Sequence, residues 1–203
     1  MAKVKTRYVC QQCGSAQPKW MGRCPDCGAW NTLVETVVTE ARRPSRPLAA
    51  AGIAPQPLPA ISADGFERIS VPIGELSRVL GGGIVPGSGV LISGDPGIGK
   101  STLLLHLASL LARQGHKVLY VSGEESPQQI KLRAQRLGIA DETLYIMGET
   151  RLENIAAHIE QMQPRLAIID SIQSITTDAL NSSAGSVSQV RDCAGYLLRL
   201  AKA

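Results

Sequence analysis

Gly94-Asp95-Pro96-Gly97-Ile98-Gly99-Lys100-Ser101, followed by Thr102, is the stretch on which the reading of this chain turns. It satisfies the pattern G-x-x-x-x-G-K-[ST]. The short apolar run Val90-Leu91-Ile92 precedes it, and leucines at helical spacing follow from Lys100 to Gln114. The predicted context is therefore a buried parallel strand, a phosphate-binding loop and a helix. Gly94, Gly97 and Gly99 let successive main-chain N–H groups turn inward toward a β-phosphate, a curl that side chains would obstruct. The helix adds its uncompensated first-turn amides and the positive end of its dipole. Asp95, Pro96 and Ile98 complete the loop. Lys100 is expected to reach the β- and γ-phosphates, Ser101 to coordinate Mg²⁺, and Thr102 to bond near the α-phosphate. ATP and Mg²⁺ are the implied ligands. The bland alternative is a glycine-rich turn carrying a coincidental lysine.

Working outward, strand-like runs recur at Lys117 to Ser122, Thr143 to Met147 and Leu166 to Asp170. Helical patterns lie between them at Ser126 to Leu137 and Leu152 to Met162. Such alternation predicts an α/β fold, a P-loop NTPase with a mostly parallel sheet covered on both faces. Asp170 ends one strand, at the sheet edge where ligands bind in open α/β folds, and is the candidate acid ordering the Mg²⁺ shell. A simple turn-forming aspartate is the alternative. Val121-Ser122-Gly123-Glu124-Glu125-Ser126 ends another strand. Glu124 is the candidate for polarising a water in line with the γ-phosphate, whereas Glu125 reads as complementing the dipole of the next helix.

Toward the N-terminus, Cys10-Gln-Gln-Cys13 and Cys24-Pro-Asp-Cys27 form a C-x₂-C-x₁₀-C-x₂-C set, with Gly14 and Gly28 closing each knuckle. Four thiolates on two tight turns match tetrahedral Zn²⁺ in a closed, structural site. Two disulfides are the competing reading. Trp20 and Trp30 flank the second knuckle and are expected to cover the metal as a miniature core. The predicted organisation is a C4 zinc finger over 1–37, a Pro/Ala-rich linker over 38–65, and an ATPase domain from 66 to 203. The linker assignment rests on Pro44, Pro47, Pro55, Pro57 and Pro59.

Composition narrows the functional classes. The 203 residues are 44% hydrophobic but only 3% aromatic, which fits an aliphatic sheet better than an aromatic platform for nucleic acid. The formal charge of +4 is uneven: residues 1–48 carry eight Lys/Arg against Asp26, Glu35 and Glu40, or +5, leaving −1 for the rest. A zinc ion held by four thiolates lowers that segment to about +3. No segment reads as a signal peptide or membrane span, so a cytoplasmic protein is expected. Thr176 to Gln189 contains no Lys or Arg and reads as a flexible surface loop more readily than as a DNA-contacting one. Cys193 reads as a small core residue. His106, His116 and His158 share no site spacing.

Several segments together resemble the RadA (Sms) family of bacterial DNA-repair ATPases, RecA-like enzymes with an N-terminal C4 zinc finger. They are Tyr8-Val-Cys-Gln-Gln-Cys13-Gly, Pro18-Lys-Trp-Met-Gly-Arg-Cys24-Pro-Asp-Cys27, Glu75-Leu-Ser-Arg-Val-Leu-Gly-Gly-Gly83, the loop from Gly94 to Thr102, and Ser122-Gly-Glu-Glu-Ser126. The resemblance implies an ATPase that binds single-stranded or branched DNA, forms a homo-oligomeric ring and promotes branch migration in recombination. Recombination proteins or a replicative helicase are the implied partners. It further implies additional sheet strands, a Lys-Asn-Arg-Phe-Gly motif and a Lon-like domain, none of which occurs in these residues. Leu197 to Ala203 lies in an amphipathic pattern without a stop signal, so the sequence is expected to be part of a longer protein. Two other functions are consistent with the residues: a zinc-ribbon adaptor with an ATP-operated switch and little turnover, and phosphoryl transfer to a small molecule. No lid-like arginine cluster supports the latter.

Overall fold

A computed structural model describes residues 4–39, 56–62, 67–180 and 182–203, excepting the side chains of 4–6 and 36–39. The predicted alternation is realised as α1 (Gly74–Val79), α2 (Lys100–Arg113), β4 (Val118–Ser122), α3 (Pro127–Arg136), β5 (Leu144–Gly148), α4 (Leu152–Met162), β6 (Leu166–Asp170) and α5 (Val187–Ala201). The sheet is parallel, in the order β5-β4-β6. Strand β4 sits in the middle, with all five residues buried.

Alternation along β4 divides the core. Val118 and Tyr120 face Leu105, Ala108 and Leu111 of α2 and Ile130 and Ala134 of α3, while Leu119 and Val121 face Leu152 and Ile155 of α4 and Cys193 of α5. A strand buried on both faces must be apolar at every position, which is why its sequence reads as a continuous run. The surrounding helices carry their own start signals. Ser126 caps α3 in a reciprocal box with Gln129, Pro127 occupies the first turn, and Ser186 caps α5.

The N-terminal unit is a separate antiparallel sheet, ordered β2-β1-β3, from β1 (Val4–Cys10), β2 (Ala16–Gln17) and β3 (Leu33–Thr39). Strand β3 runs past the predicted boundary at residue 37. Most of the predicted linker, and Phe66, lie outside the described residues. Within it, Leu58–Ala60 forms one 3₁₀ turn.

Three expectations are corrected. Val90-Leu91-Ile92 forms no ladder, and Val90 and Leu91 are 50% and 81% exposed. A strand exists only with a hydrogen-bonding neighbour, and no described strand lies beside this segment. The Thr176–Gln189 stretch is not a loose loop, because Gln189 is buried and holds it. Its side chain accepts from Thr177 N at 2.9 Å and donates to Ser182 O at 3.0 Å. The third, the placement of Trp20 and Trp30, belongs with the metal centre below.

Packing around α2 sets stability. Leu111→Ala, at a fully buried position, is expected to cost about 2–5 kcal/mol in urea unfolding. Leu132→Ala, on the exposed face of α3, should stay within about 0.5 kcal/mol.

Candidate nucleotide site and metal centre

The phosphate-loop signature folds into a tight turn ending in α2. Gly97 and Gly99 have φ of 79° and 99°, left-handed values that side chains resist. Gly99 is the N-cap residue and supplies no side-chain cap. The serine-capped α3 and α5 differ in this respect: the first-turn amides of α2 are left without a side-chain acceptor, the arrangement that receives an anion. Gly94 to Gly99 are all exposed, and Lys100 Nζ donates to the carbonyls of Gly94 and Asp95, each at 2.9 Å. Those carbonyls hold the ammonium over the loop. Ser101 is half-buried and Thr102 exposed.

Strand register brings the acidic candidates to the same end of the sheet. Ser122 pairs with Asp170, so the exits of β4 and β6 are level. The Ser122 hydroxyl accepts from the N–H groups of Glu124 at 3.3 Å and Glu125 at 2.9 Å, turning the chain just beyond the strand. Glu124 is exposed and accepts a hydrogen bond from Ser171 Oγ at 2.6 Å. Glu125 points elsewhere, accepting from Arg133 Nη1 at 3.0 Å. The two neighbouring glutamates thus occupy different environments.

Tyr120 is the residue that sequence reasoning missed. Its buried hydroxyl donates to Asp170 Oδ2 at 2.5 Å and lies 3.5 Å from the Ser101 carbonyl, so one group touches both the start of α2 and the carboxylate ending β6. Arg133 Nη2 donates to the same hydroxyl at 3.3 Å, which links the Glu125–Arg133 pair to Asp170. Burial, reinforced by the hydrogen bond to Asp170, pushes the phenol well above its ordinary range. It therefore remains a donor at any working pH. The signal was a lone hydroxyl-bearing aromatic within an aliphatic strand, visible in the sequence but meaningless without the register.

The cysteines converge as expected. The four sulfurs of Cys10, Cys13, Cys24 and Cys27 lie within 4.8 Å of one another, and none is in a disulfide. Both knuckles use one scheme: Gly14 N donates to Cys10 O at 2.8 Å, and Gly28 N to Cys24 O at 2.9 Å. Burial opposes ionisation of Cys10, but its hydrogen bonding with the Thr32 side chain and with the amides of Cys13 and Gln12 prevails and brings it down to about 6. For Cys13 the Ser15 amide lowers the thiol, yet desolvation and the neighbouring sulfurs prevail and raise it to about 12. A divalent cation compensates the charge that four adjacent thiolates cannot otherwise share. An all-sulfur donor set of this size suits Zn²⁺.

Trp20 and Trp30 do not cover this centre. They are 55% and 70% exposed, and the ribbon core consists of Cys10, Cys24 and Leu33 with Tyr8 and Met21 against it. The expectation failed because a ribbon this small is already filled by its own ligands and a few aliphatic contacts.

Family comparisons agree with this architecture. Residues 54–202 match the model of the AAA domain, and residues 8–35 match that of the rubredoxin metal binding domain. The chain belongs to the AAA-domain family, with a four-cysteine zinc ribbon ahead of a RecA-like ATPase domain. Within that family the likeness to RadA extends along the whole chain. It is 47% identical to the DNA repair protein RadA of Bacillus subtilis (strain 168), with all of this chain and 45% of that protein covered. It is 50% identical to the DNA repair protein RadA of Halalkalibacterium halodurans, with the same coverage. The chain therefore spans a little under half the length of these curated relatives. A solved structure, the flagellar accessory protein FlaH from Methanocaldococcus jannaschii, overlaps 66% of this chain and 65% of that one, at a TM-score of 0.49 and 20% identity. No helix among the described residues is long and apolar enough to cross a membrane.

The metal centre makes a countable prediction. After chelation of the metal, four thiols should react rapidly with an aromatic disulfide reagent, while Cys193, buried under α4, reacts only as the domain unfolds. In the zinc-loaded chain the four fast thiols should be protected. Equal reactivity with and without metal would contradict the assignment.

Proposed function

We propose that this chain binds Mg-ATP on Gly94 to Thr102 and hydrolyses it as the ATPase of a DNA-repair protein acting on single-stranded or branched DNA. The observation that carries the nucleotide part is the convergence on Tyr120, whose hydroxyl spans from the uncapped start of α2 to the Asp170 carboxylate. In this reading the main-chain N–H groups of Gly94, Asp95, Gly97, Ile98 and Gly99 surround the phosphates, and Pro96, which has no N–H, shapes the turn between them. Lys100 leaves the loop carbonyls for the β- and γ-phosphate oxygens. Ser101 and Asp170 would hold Mg²⁺, which would supply charge neutralisation on the transferred phosphoryl group. Thr102 bonds near the α-phosphate. Glu124, presented at the sheet edge by the Ser122 turn, orients and deprotonates the attacking water.

The DNA part rests on similarity to RadA repair proteins, which this chain matches over its full length. Within the same reading, the whole protein works as a homo-oligomeric ring in recombination and branch migration, with recombination proteins or a replicative helicase as partners. A cytoplasmic setting follows from that role.

Lys100→Ala in the full-length protein should abolish nucleotide turnover. Glu124→Gln should lower kcat about 10²–10⁴-fold while leaving Mg-ATP binding intact. A Glu124→Gln protein that keeps its repair function without turnover would instead make the chain an ATP-operated adaptor.

A further inference from the structure

The ribbon exposes two indoles that its fold does not use. Trp30 lies opposite Arg23 in an antiparallel bridge, and Asn31 N donates to Gly22 O at 2.8 Å, so this short hairpin fixes where the Trp30 ring stands. Both rings flank the bare backbone of Gly22: a Cβ there would lie 3.9 Å from Trp20 Cη2 and 3.9 Å from Trp30 Cζ3. The indoles thus form one surface rather than two separate exposures. Arg23 borders it, its guanidinium carbon 5.8 Å from the Trp30 ring centroid and its Nε donating to Gly28 O at 2.9 Å. Lys19, exposed, precedes Trp20. The ribbon core consists of Cys10, Cys24 and Leu33 with Tyr8 and Met21, so the ribbon's own packing does not account for these exposed indoles.

We propose that Trp20 and Trp30 form a stacking surface for the unpaired bases of a single-stranded nucleic acid, with Arg23 and Lys19 meeting the flanking phosphates. Indoles offer flat faces that any base can stack on, and cations placed beside the rings match the alternation of base and phosphate along a strand. The local charge selects this occupant: an apolar protein partner would meet the Arg23 guanidinium beside the Trp30 ring and an exposed lysine, Lys19, next to Trp20 in the chain. Two phosphate contacts on a single strand correspond to a salt slope of only about −1.4, so stacking supplies most of the attraction. This surface rests on the nucleic-acid reading above, and it assigns first contact with the strand to the ribbon rather than to the ATPase domain.

The chain contains two tryptophans, and both are here, so indole emission reports on this face alone. Oligo(dT) is titrated into the zinc-loaded chain, following indole emission and the anisotropy of a labelled strand in parallel. Binding should quench the emission. Trp30→Ala should weaken affinity about 5- to 100-fold, and Trp30→Phe should retain part of it, with zinc content and Mg-ATP affinity unchanged in both. Equal quenching by heparin would reduce the site to a charged surface and overturn the stacking. Indole burial through self-association without oligo(dT) would assign the face to a protein partner and overturn it as well. Binding by anisotropy with unaltered emission and an unaltered Trp30→Phe affinity would overturn this inference while leaving DNA binding elsewhere on the chain. Absence of any oligo(dT) binding would overturn both this surface and the DNA part of the proposed function, while Mg-ATP affinity reads the nucleotide part separately.

Discussion

A single hydrogen bond, from the Tyr120 hydroxyl to Asp170, ties the parts of the candidate nucleotide site together. Tyr120 can make it only because β4 is central, buried and paired in register with β6, so that the middle residue of one strand reaches the last residue of its neighbour. The same hydroxyl lies against the first turn of α2, which fixes the distance between phosphate loop and carboxylate without contact between the two. Arg133 and Glu125 brace it from α3. Losing the hydroxyl would leave a half-buried carboxylate with one partner fewer, a cost of about 1–3 kcal/mol by the general behaviour of such groups. Fold and site are therefore not separable here: the helices on one face of the sheet are positioned by the same contacts that aim Asp170.

The two glutamates after β4 illustrate how small differences in backbone direction divide roles. The Ser122 turn sends Glu125 back over α3, where Arg133 neutralises it, and leaves Glu124 at the open edge beside Ser171. For the proposed role of Glu124, the relevant difference is its partner: a hydroxyl, which a substrate water can replace, instead of a guanidinium.

Much of this was legible in the sequence, for identifiable reasons. The phosphate loop, the cysteine knuckles and the alternation of strands and helices are local patterns, each specified within about twenty residues. Asp170 could be placed at a strand end because an aliphatic run stops there. What remained hidden depended on separate segments meeting. Tyr120 and Asp170 are fifty positions apart, and Gln189 becomes a core residue only because Thr177 and Ser182 fold around it. Val90-Leu91-Ile92 has the composition of a strand but lacks a described neighbour. Trp20 and Trp30 were misjudged because hydrophobicity favours burial in general, whereas a ribbon assembled around a metal has little interior to offer. Their exposure is the feature that points furthest beyond the ATPase domain.

The central claim, that Asp170 held by Tyr120 completes a Mg²⁺ site on the phosphate loop, is tested most directly by binding of a fluorescent ATP analogue as a function of Mg²⁺ concentration. In the native chain Mg²⁺ should tighten binding, and Tyr120→Phe should require more Mg²⁺ for the same effect while keeping its affinity for the metal-free nucleotide. Binding that ignores Mg²⁺, or a Tyr120→Phe chain with an unchanged Mg²⁺ requirement, would contradict the account.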